Sequence, residues 1–465
     1  MTTKPVYTLL FILLGWGCLA GCNKKDFLNE KPSSDVFVPS TLSDFQALLD
    51  DETVMAETPV LGEVSADNYY LNYTYWVPLD TKEHNAYIWA PEIYGGVGNV
   101  GDWNYPYEQV FYANVVLAGI DKVTITNNIG QWKAVKGSAF FLRAYAFYNV
   151  SQVFAPAYDD AIANTPNLGI PLRLTPNVDA SSTRSTLGQT YNQIVSDLQQ
   201  AKDLLPDTIA VNNLNRPCKQ AALAMLARVY LSMRKYDSAW FYADNCLQLY
   251  NKLIDYNTLP NINQNRPFDR SNIETMYQSR LLSSSSVIRG QLIRDCIVDS
   301  VLYQSYSTND LRRTAFFSAS APINLKGTYT GTNLVFSGLA TDETYLIRAE
   351  CNARLGNRTA ALNDLNRLLQ NRYKTGTFTP ITASSDSEAI AKILTERRKE
   401  LPFRGVRWTD LRRLNKEGAN ITLRRMFIIN GLITNYTLAP NSELYVLPIP
   451  PDVIALSNMP QNERN

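Results

Sequence analysis

Histidine is nearly missing: His84 is the only one in 465 residues. Metal catalysis through clustered imidazoles is thereby excluded, and a serine hydrolase would depend on His84 itself as its base. An excess of either charge is lacking too. Lysine and arginine number 44 against 43 aspartates and glutamates, so the formal charge is +1, and it falls to zero if Lys4 leaves with a leader. A chain so balanced offers no general attraction to nucleic acid or to acidic surfaces. Cysteines are few and scattered: Cys18, Cys22, Cys218, Cys246, Cys296 and Cys351 lack the paired short spacings of a zinc site. Cys218, Cys246 and Cys351 fall in helical patterns among alanine and leucine, which favours buried thiols over disulfides. Past Cys22 no apolar stretch is long enough to span a bilayer, and the remaining chain is sized for one large or two ordinary domains.

The one long apolar run stands at the start. "VYTLLFILLGWGCLAG", preceded by Lys4, is too short for a membrane span and ends in "LAGC". Small Ala20 and Gly21 before a cysteine are what a bacterial lipoprotein peptidase accepts. The reading is a signal peptide over 1–21, acylation of the Cys22 thiol and a lipidated tether over 22–40. At about 0.8 kcal/mol per buried methylene, three acyl chains hold such a protein on its membrane. A helix begins after Ser40, a candidate N-cap for "TLSDFQALLD".

Helical periodicity organises most of the rest. "EQVFYANVVLAGIDKV" after Pro106 places Val110, Asn114, Leu117 and Asp121 on one stripe. "AALAMLARVYLSMRKYDSAWFYADNCLQLY" puts Ala227 three residues before Tyr230, then Tyr236 past a turn, then Ala239 and Ala243. "ETYLIRAECNARLGNRTAALNDLNRLLQNR" repeats the grammar with Ala349, Gly356 and Ala361. Small residues at this spacing let antiparallel helices approach while aromatic rings fill the gap beside them, as in tetratricopeptide hairpins. "AVKGSAFFLRAYAFYNVSQVF" and "YNQIVSDLQQAKDLLP" are weaker relatives. The expected fold class is mainly α, a scaffold of stacked tetratricopeptide-like hairpins. The chain divides into a helical part over 41–256 containing an aromatic loop region at 65–105, a loop-rich insertion over 257–341, and a helical part over 342–465. A loop segment as long as the insertion is more often functional than idle.

A literal G-x-G-x-x-G, Gly96, Gly98 and Gly101, lies in "YGGVGNVGDWNYPY". A dinucleotide cradle needs a buried strand before it and a helix opening on its last glycine. Here "NAYIWAPEIY" precedes it, broken by Pro91, and the helix is expected only from Pro106. No cofactor is therefore implied, and the glycines serve sharp turns that project neighbouring rings. Those rings are abundant. Residues 69 to 112 hold 13 aromatic side chains, against 11% for the whole chain. On loops, interleaved with asparagines, such rings stack on apolar faces and bond at their edges. The candidate ligand-binding residues are Trp76, Trp89, Trp103, Tyr73, Tyr94 and Asn104, assisted by Tyr277 and Tyr303 from the insertion. Tyr107, Phe111 and Tyr112, on a helical stripe, are expected to cover the core instead.

Seven stretches, in this order, resemble the SusD/RagB family of outer-membrane nutrient-binding lipoproteins over nearly the whole chain. They are "LAGC"; "LNEKPSSDVFVPSTLSDFQALLD"; "FFLRAYAFYNVSQVF" before Pro156; "TLGQTYNQIVSDLQQAKDLLP"; "ALAMLARVYLSMRKYDSAWFYADNCL"; "AIAKILTERRKELPFRGVRWTDLRR"; and "LPIPPDVIALSNMPQN". The family's Glu-Arg-x-x-Glu-Leu stands as Glu396, Arg397, Glu400 and Leu401, whereas Arg404 takes a place often held by glutamate or a neutral residue. The resemblance implies a lipid-anchored protein facing the cell exterior as a lid on a SusC/RagA-like TonB-dependent transporter. Its ligand would be an oligosaccharide or, in RagB-like branches, a peptide, captured without chemistry and passed to the barrel. In "TERRKELPFRGVRWTDLRRL", Glu396, Arg397 and Arg398 would brace helix ends, with Trp408 packed beneath Arg407 or Arg412; a basic anion site is the alternative there. A glycan-active enzyme using Asp159 and Asp160 is a lesser alternative, since their surroundings read as a turn.

Overall fold

The computed structural model describes residues 39–125, 127–288 and 296–464. The leader, Cys22 and the tether up to residue 38 lie outside them. The first helix, α1 (Leu42–Leu49), is capped by Thr41 rather than Ser40. Thr41 Oγ1 accepts from the Asp44 N–H and the Asp44 carboxylate accepts from the Thr41 N–H, a reciprocal box that Ser40 sits one residue too early to form.

Nine further helices of eight residues or more follow among the described residues. They are α2 (Gly101–Gly119), α3 (Ile129–Phe154), α4 (Leu187–Leu204), α5 (Lys219–Ser232), α6 (Tyr236–Leu249), α7 (Thr341–Arg354), α8 (Arg358–Gln370), α9 (Asp386–Glu400) and α10 (Arg407–Asn415). From α2 to α8 each packs on the next, which makes a serial stack, and α9 closes on α7 and α8. Residues Thr41–Asn465 form one compact unit. The protein is mainly α, as the periodicity implies.

The expected small residues make the stack possible. Ala227, Ala239, Ala243, Ala349 and Ala361 are all wholly buried, and the rings of Tyr230 and Tyr242 stack at 5.5 Å beside the α5–α6 contact. Gly356 takes φ +82° just past α7, where an L side chain would be strained. Cys218, Cys246, Cys296 and Cys351 are free, buried thiols.

Residues of the 257–341 segment are stitched to the stretch 57–71 by short strands. Arg280–Leu281 pairs parallel with Glu57–Thr58, and Cys296–Val298 pairs antiparallel with Tyr69–Leu71. Near the C-terminus a hairpin, Leu423–Ile429 with Leu432–Leu438, turns through left-handed Asn430 and Gly431. Its inner face, with Phe427, packs on Trp76 and Tyr73.

The basic block braces the interior. Arg312, fully buried, pairs with Asp310 at 2.7 Å, Glu396 at 2.5 Å and Glu400 at 3.0 Å. Arg372 pairs with Glu400 and Glu274, Arg397 with Asp410, Arg398 and Arg407 with Asp67, and Arg413 with Glu350. Trp408 does not lie beneath an arginine. It packs on the Tyr445 ring at 4.7 Å and on Gly62, where a Cβ would come within 3.2 Å of the indole, so the cations turn to carboxylates and carbonyls instead.

Candidate ligand groove

The structure moves the start of α2 forward from Pro106 to Gly101. Asp102 explains the shift. Its buried carboxylate accepts from the backbone N–H groups of Val60 at 2.6 Å and Leu61 at 2.8 Å, fixing the first turn against the preceding segment. Pro106 is then inside the helix, where its missing N–H leaves one intrahelical bond unmade.

The glycine loop ahead of this turn grips an internal anion. The Asn99 N–H donates to Asp452 Oδ2 at 3.0 Å, and a Cβ on Gly98 would stand 2.8 Å from the Asp452 carboxyl carbon. Gly98 is therefore small because Asp452 presses on it. Asp452 opens the short helix Pro451–Ser457, so the loop and the C-terminal helix are clasped together.

Most rings chosen from local composition are interior. Trp76 is 5% exposed, sandwiched between His84 at 3.9 Å and Phe427 at 4.6 Å, with its indole N–H on the His84 carbonyl. Trp89 is buried against Arg425, its N–H on the Ser65 carbonyl. Tyr94 is buried and its hydroxyl donates to the Pro448 carbonyl at 2.7 Å. Tyr277 is wholly enclosed between Phe141 and Tyr145. Tyr73 is half-buried against Phe427, and Tyr303 is half-buried under Arg313. Asn104 turns back to donate to Asn99 Oδ1. As placed, Trp76, Trp89, Tyr94 and Tyr277 present no open face. Irregular backbone leaves gaps that large rings fill, and the N–H or O–H of the first three finds a carbonyl there.

Trp103 differs. It lines a groove of about 620 Å³ together with Tyr107, Val110, Phe111 and Asn114 of α2. Because α2 starts at Gly101, these residues fall at helical spacing along a single face. The Trp103 ring is 4.8 Å from Tyr107 and meets Phe154 edge-on at 5.1 Å, which fixes its orientation. Tyr107 and Tyr112 are partly buried and pack against the core, as expected, whereas Phe111 turns outward. Phe111 is 38% exposed.

One irregular segment and the short C-terminal helix supply the other walls. Residues 171 to 182 contribute Arg173, Thr175, Val178 and Ser182, and the C-terminal helix contributes Val453 and Leu456. The Tyr107 hydroxyl donates to the Pro171 carbonyl at 2.9 Å, and Asn114 Nδ2 donates to the carbonyls of Arg173 at 2.9 Å and Thr175 at 3.3 Å. Arg173 ties the loop to itself through Asn177, Ala180 and Ser182. Val178 is 74% and Leu456 88% exposed, so the groove has an apolar lip open to solvent. Tyr107 and Phe111 as ligand rings were within reach of the sequence, but the misplaced helix start hid their common face with Trp103.

Among the described residues no catalytic constellation stands beside this groove. Asp159 and Asp160 occupy a turn, the first 3.6 Å from Lys416 and the second 2.6 Å from Lys235. His84 is stacked on Trp76, with Nδ1 3.0 Å from Asn85 Oδ1. Among the described residues no three His, Cys, Asp or Glu side chains converge as a metal site, and no helix is long and apolar enough to cross a membrane.

Comparison with known proteins bears on the whole chain. Residues 26–231 match a family model described as starch-binding and associating with the outer membrane, and residues 339–463 match the SusD family model. A relative, SusD-like protein P2 of Formosa agariphila, is 26% identical, covering 77% of this chain and 79% of its own. Among solved structures, a SusD superfamily protein of Bacteroides thetaiotaomicron superposes with a TM-score of 0.72 at 21% identity, over 91% of this chain and all of the other. A laminarin-binding SusD-like protein superposes at 0.63 and 18% identity, over 90% and 98% of the two chains. Surface glycan-binding protein A of Bacteroides fluxus superposes at 0.66 and 15%, over 91% and 99%.

Proposed function

Because the chain belongs to the SusD/RagB family, we propose that it is an outer-membrane lipoprotein that captures nutrient oligosaccharides at the cell surface and passes them to a SusC-like TonB-dependent transporter. The groove along α2 carries this reading. Trp103, Tyr107 and Phe111 line one wall, and the pyranose ring offers C–H faces for such rings while its hydroxyls bond to amide and carbonyl edges. Two relatives of the same fold are named for laminarin and glycan binding, which supports a saccharide ligand. The protein binds and releases without bond cleavage, consistent with the lysine partners of Asp159 and Asp160. Anchoring is through Cys22. The apolar tip of the C-terminal hairpin, with exposed Met426, Ile428, Leu432 and Ile433, supports a partner surface beyond the ligand site.

A peptide ligand is the second reading, favoured by the open apolar lip of Val178 and Leu456. Isothermal titration against neutral oligosaccharides and peptides, with product analysis of the same mixtures, separates these readings. We expect saccharide binding without turnover, weakened about 2- to 12-fold by Phe111→Ala, since an aromatic stacking contact is worth about 0.5–1.5 kcal/mol. Peptide binding alone selects the second reading. Released products, or saccharide binding indifferent to Phe111→Ala, overturn the assignment of function or of site respectively.

A further inference from the structure

A second pocket, of about 500 Å³, lies across the C-terminal strand of chain from the groove. Met459 lines the groove and Pro460 lines the pocket; Pro171 borders the groove and bridges to Arg184, which borders the pocket. Its other lining includes Leu168, Arg412, Lys416 and Tyr445.

Three buried arginines of this molecule, Arg184, Arg412 and Arg425, sit against carbonyls rather than acids among the described residues; Arg425 is covered by the rings of Tyr87 and Trp89, whereas the other two border this pocket. Buried Arg143, Arg228, Arg312, Arg372, Arg397, Arg404 and Arg413 each touch a carboxylate. Arg184 and Arg412 are 7% and 4% exposed, yet among the described residues neither makes an ion pair. Arg184 donates only to the carbonyls of Gly169 at 3.0 Å and Pro460 at 3.1 Å, and its Nη2 has no partner. Arg412 donates to the carbonyls of Gln152 and Ala155, and its Nε has no partner. Burial pulls both guanidinium groups down from their ordinary value to about 10, so both remain cationic at neutral pH. Lys416 adds a third cation, held 3.6 Å from Asp159. The two acids of the lining, Glu443 and Glu463, are exposed, where water screens them.

A buried cation answered only by carbonyl dipoles keeps a positive field in the space it lines, because little solvent is present to screen it. We propose that this pocket is an oxyanion subsite, which takes a carboxylate or sulfate ester carried by a saccharide lying in the adjoining groove. The preferred ligand is then an acidic glycan rather than a neutral one. The subsite deepens the saccharide reading above and rests on it. Planar guanidinium groups suit both oxyanions, so the chemistry of the ester or acid is left to experiment.

The test is isothermal titration with three tetrasaccharides: galacturonic acid, 6-sulfated galactose and unsubstituted galactose. At least one acidic probe is expected to bind ten times tighter than the neutral one at 50 mM salt, with the advantage shrinking as salt rises. Which acidic probe wins identifies carboxylate or sulfate. Lys416→Gln, at the rim, gives up only a partly exposed pairing with Asp159 and should reduce the advantage about threefold, and Arg184→Gln should abolish it while neutral binding stays. If Arg184→Gln fails to fold, the Lys416→Gln result decides alone. Acidic probes that bind no tighter than the neutral one, or an advantage untouched by these substitutions, overturn the subsite and leave the groove standing. Failure of all three probes to bind overturns both.

Discussion

Replacing Asn114 by aspartate isolates the connection between α2 and the loop that walls the groove. Asn114 is 1% exposed and works in two directions. Its Oδ1 accepts from Arg143 Nη1 at 2.9 Å, and its Nδ2 donates to the carbonyls of Arg173 and Thr175. Aspartate keeps the acceptor for Arg143 and nearly the same shape, but it puts an oxygen where the donor was. Two loop bonds are lost, each worth about 1 kcal/mol net, and a carboxylate oxygen now faces two carbonyls. The loop should open more easily by about 2–3 kcal/mol, which is about 30- to 150-fold in its opening equilibrium. Trypsin reads this directly, because Arg173 precedes Leu174 in that loop and its guanidinium is engaged within it. Where reclosing outpaces cleavage, the rate tracks the open population. Cutting after Arg173 should accelerate by that factor, with other tryptic sites unchanged, and saccharide affinity should fall in parallel. Acceleration below about threefold, or equal acceleration at every site, would refute the view that Asn114 holds the wall rather than the whole fold.

Arg312→Met should destabilise the protein by about 3–5 kcal/mol, because Asp310, Glu396 and Glu400 lose a shared buried cation. A urea midpoint indistinguishable from that of the parent would contradict this. Glu63 should make stability fall with rising pH. Burial, only partly offset by hydrogen bonds from Asn68 and the Gly405 N–H, pushes its carboxyl up to about 7, so the folded state keeps a proton that the unfolded chain releases near 4.5. That contribution is complete below pH 4.5 and is lost as pH rises through 7. Glu63→Gln, which mimics the protonated acid, should gain on the parent between pH 5 and 8, by a difference on the order of 3 kcal/mol. A gap that does not change with pH over that range would dismiss the assignment to Glu63.

Sequence periodicity and spacing alone were enough to determine the helical stack. Alanines at hairpin spacing can be read without coordinates because close helix approach demands small side chains wherever it occurs. The lack of clustered histidine and the absence of a strand before Gly96 likewise turned the reading away from imidazole-clustered metal catalysis and a dinucleotide cradle, since each chemistry requires particular residues. Which rings border a groove was not legible. Trp76, Trp89 and Trp103 look alike in composition and all three are buried, but their surroundings depend on distant partners: Phe427 covers the first, Arg425 the second, and only beside the third do residues 171 to 182 and the C-terminal helix leave a gap. The unpaired charge of Arg184 and Arg412 belongs to the same class of fact. An arginine's carboxylate comes from anywhere in the chain, so only the tertiary packing decides which cations are left facing a pocket.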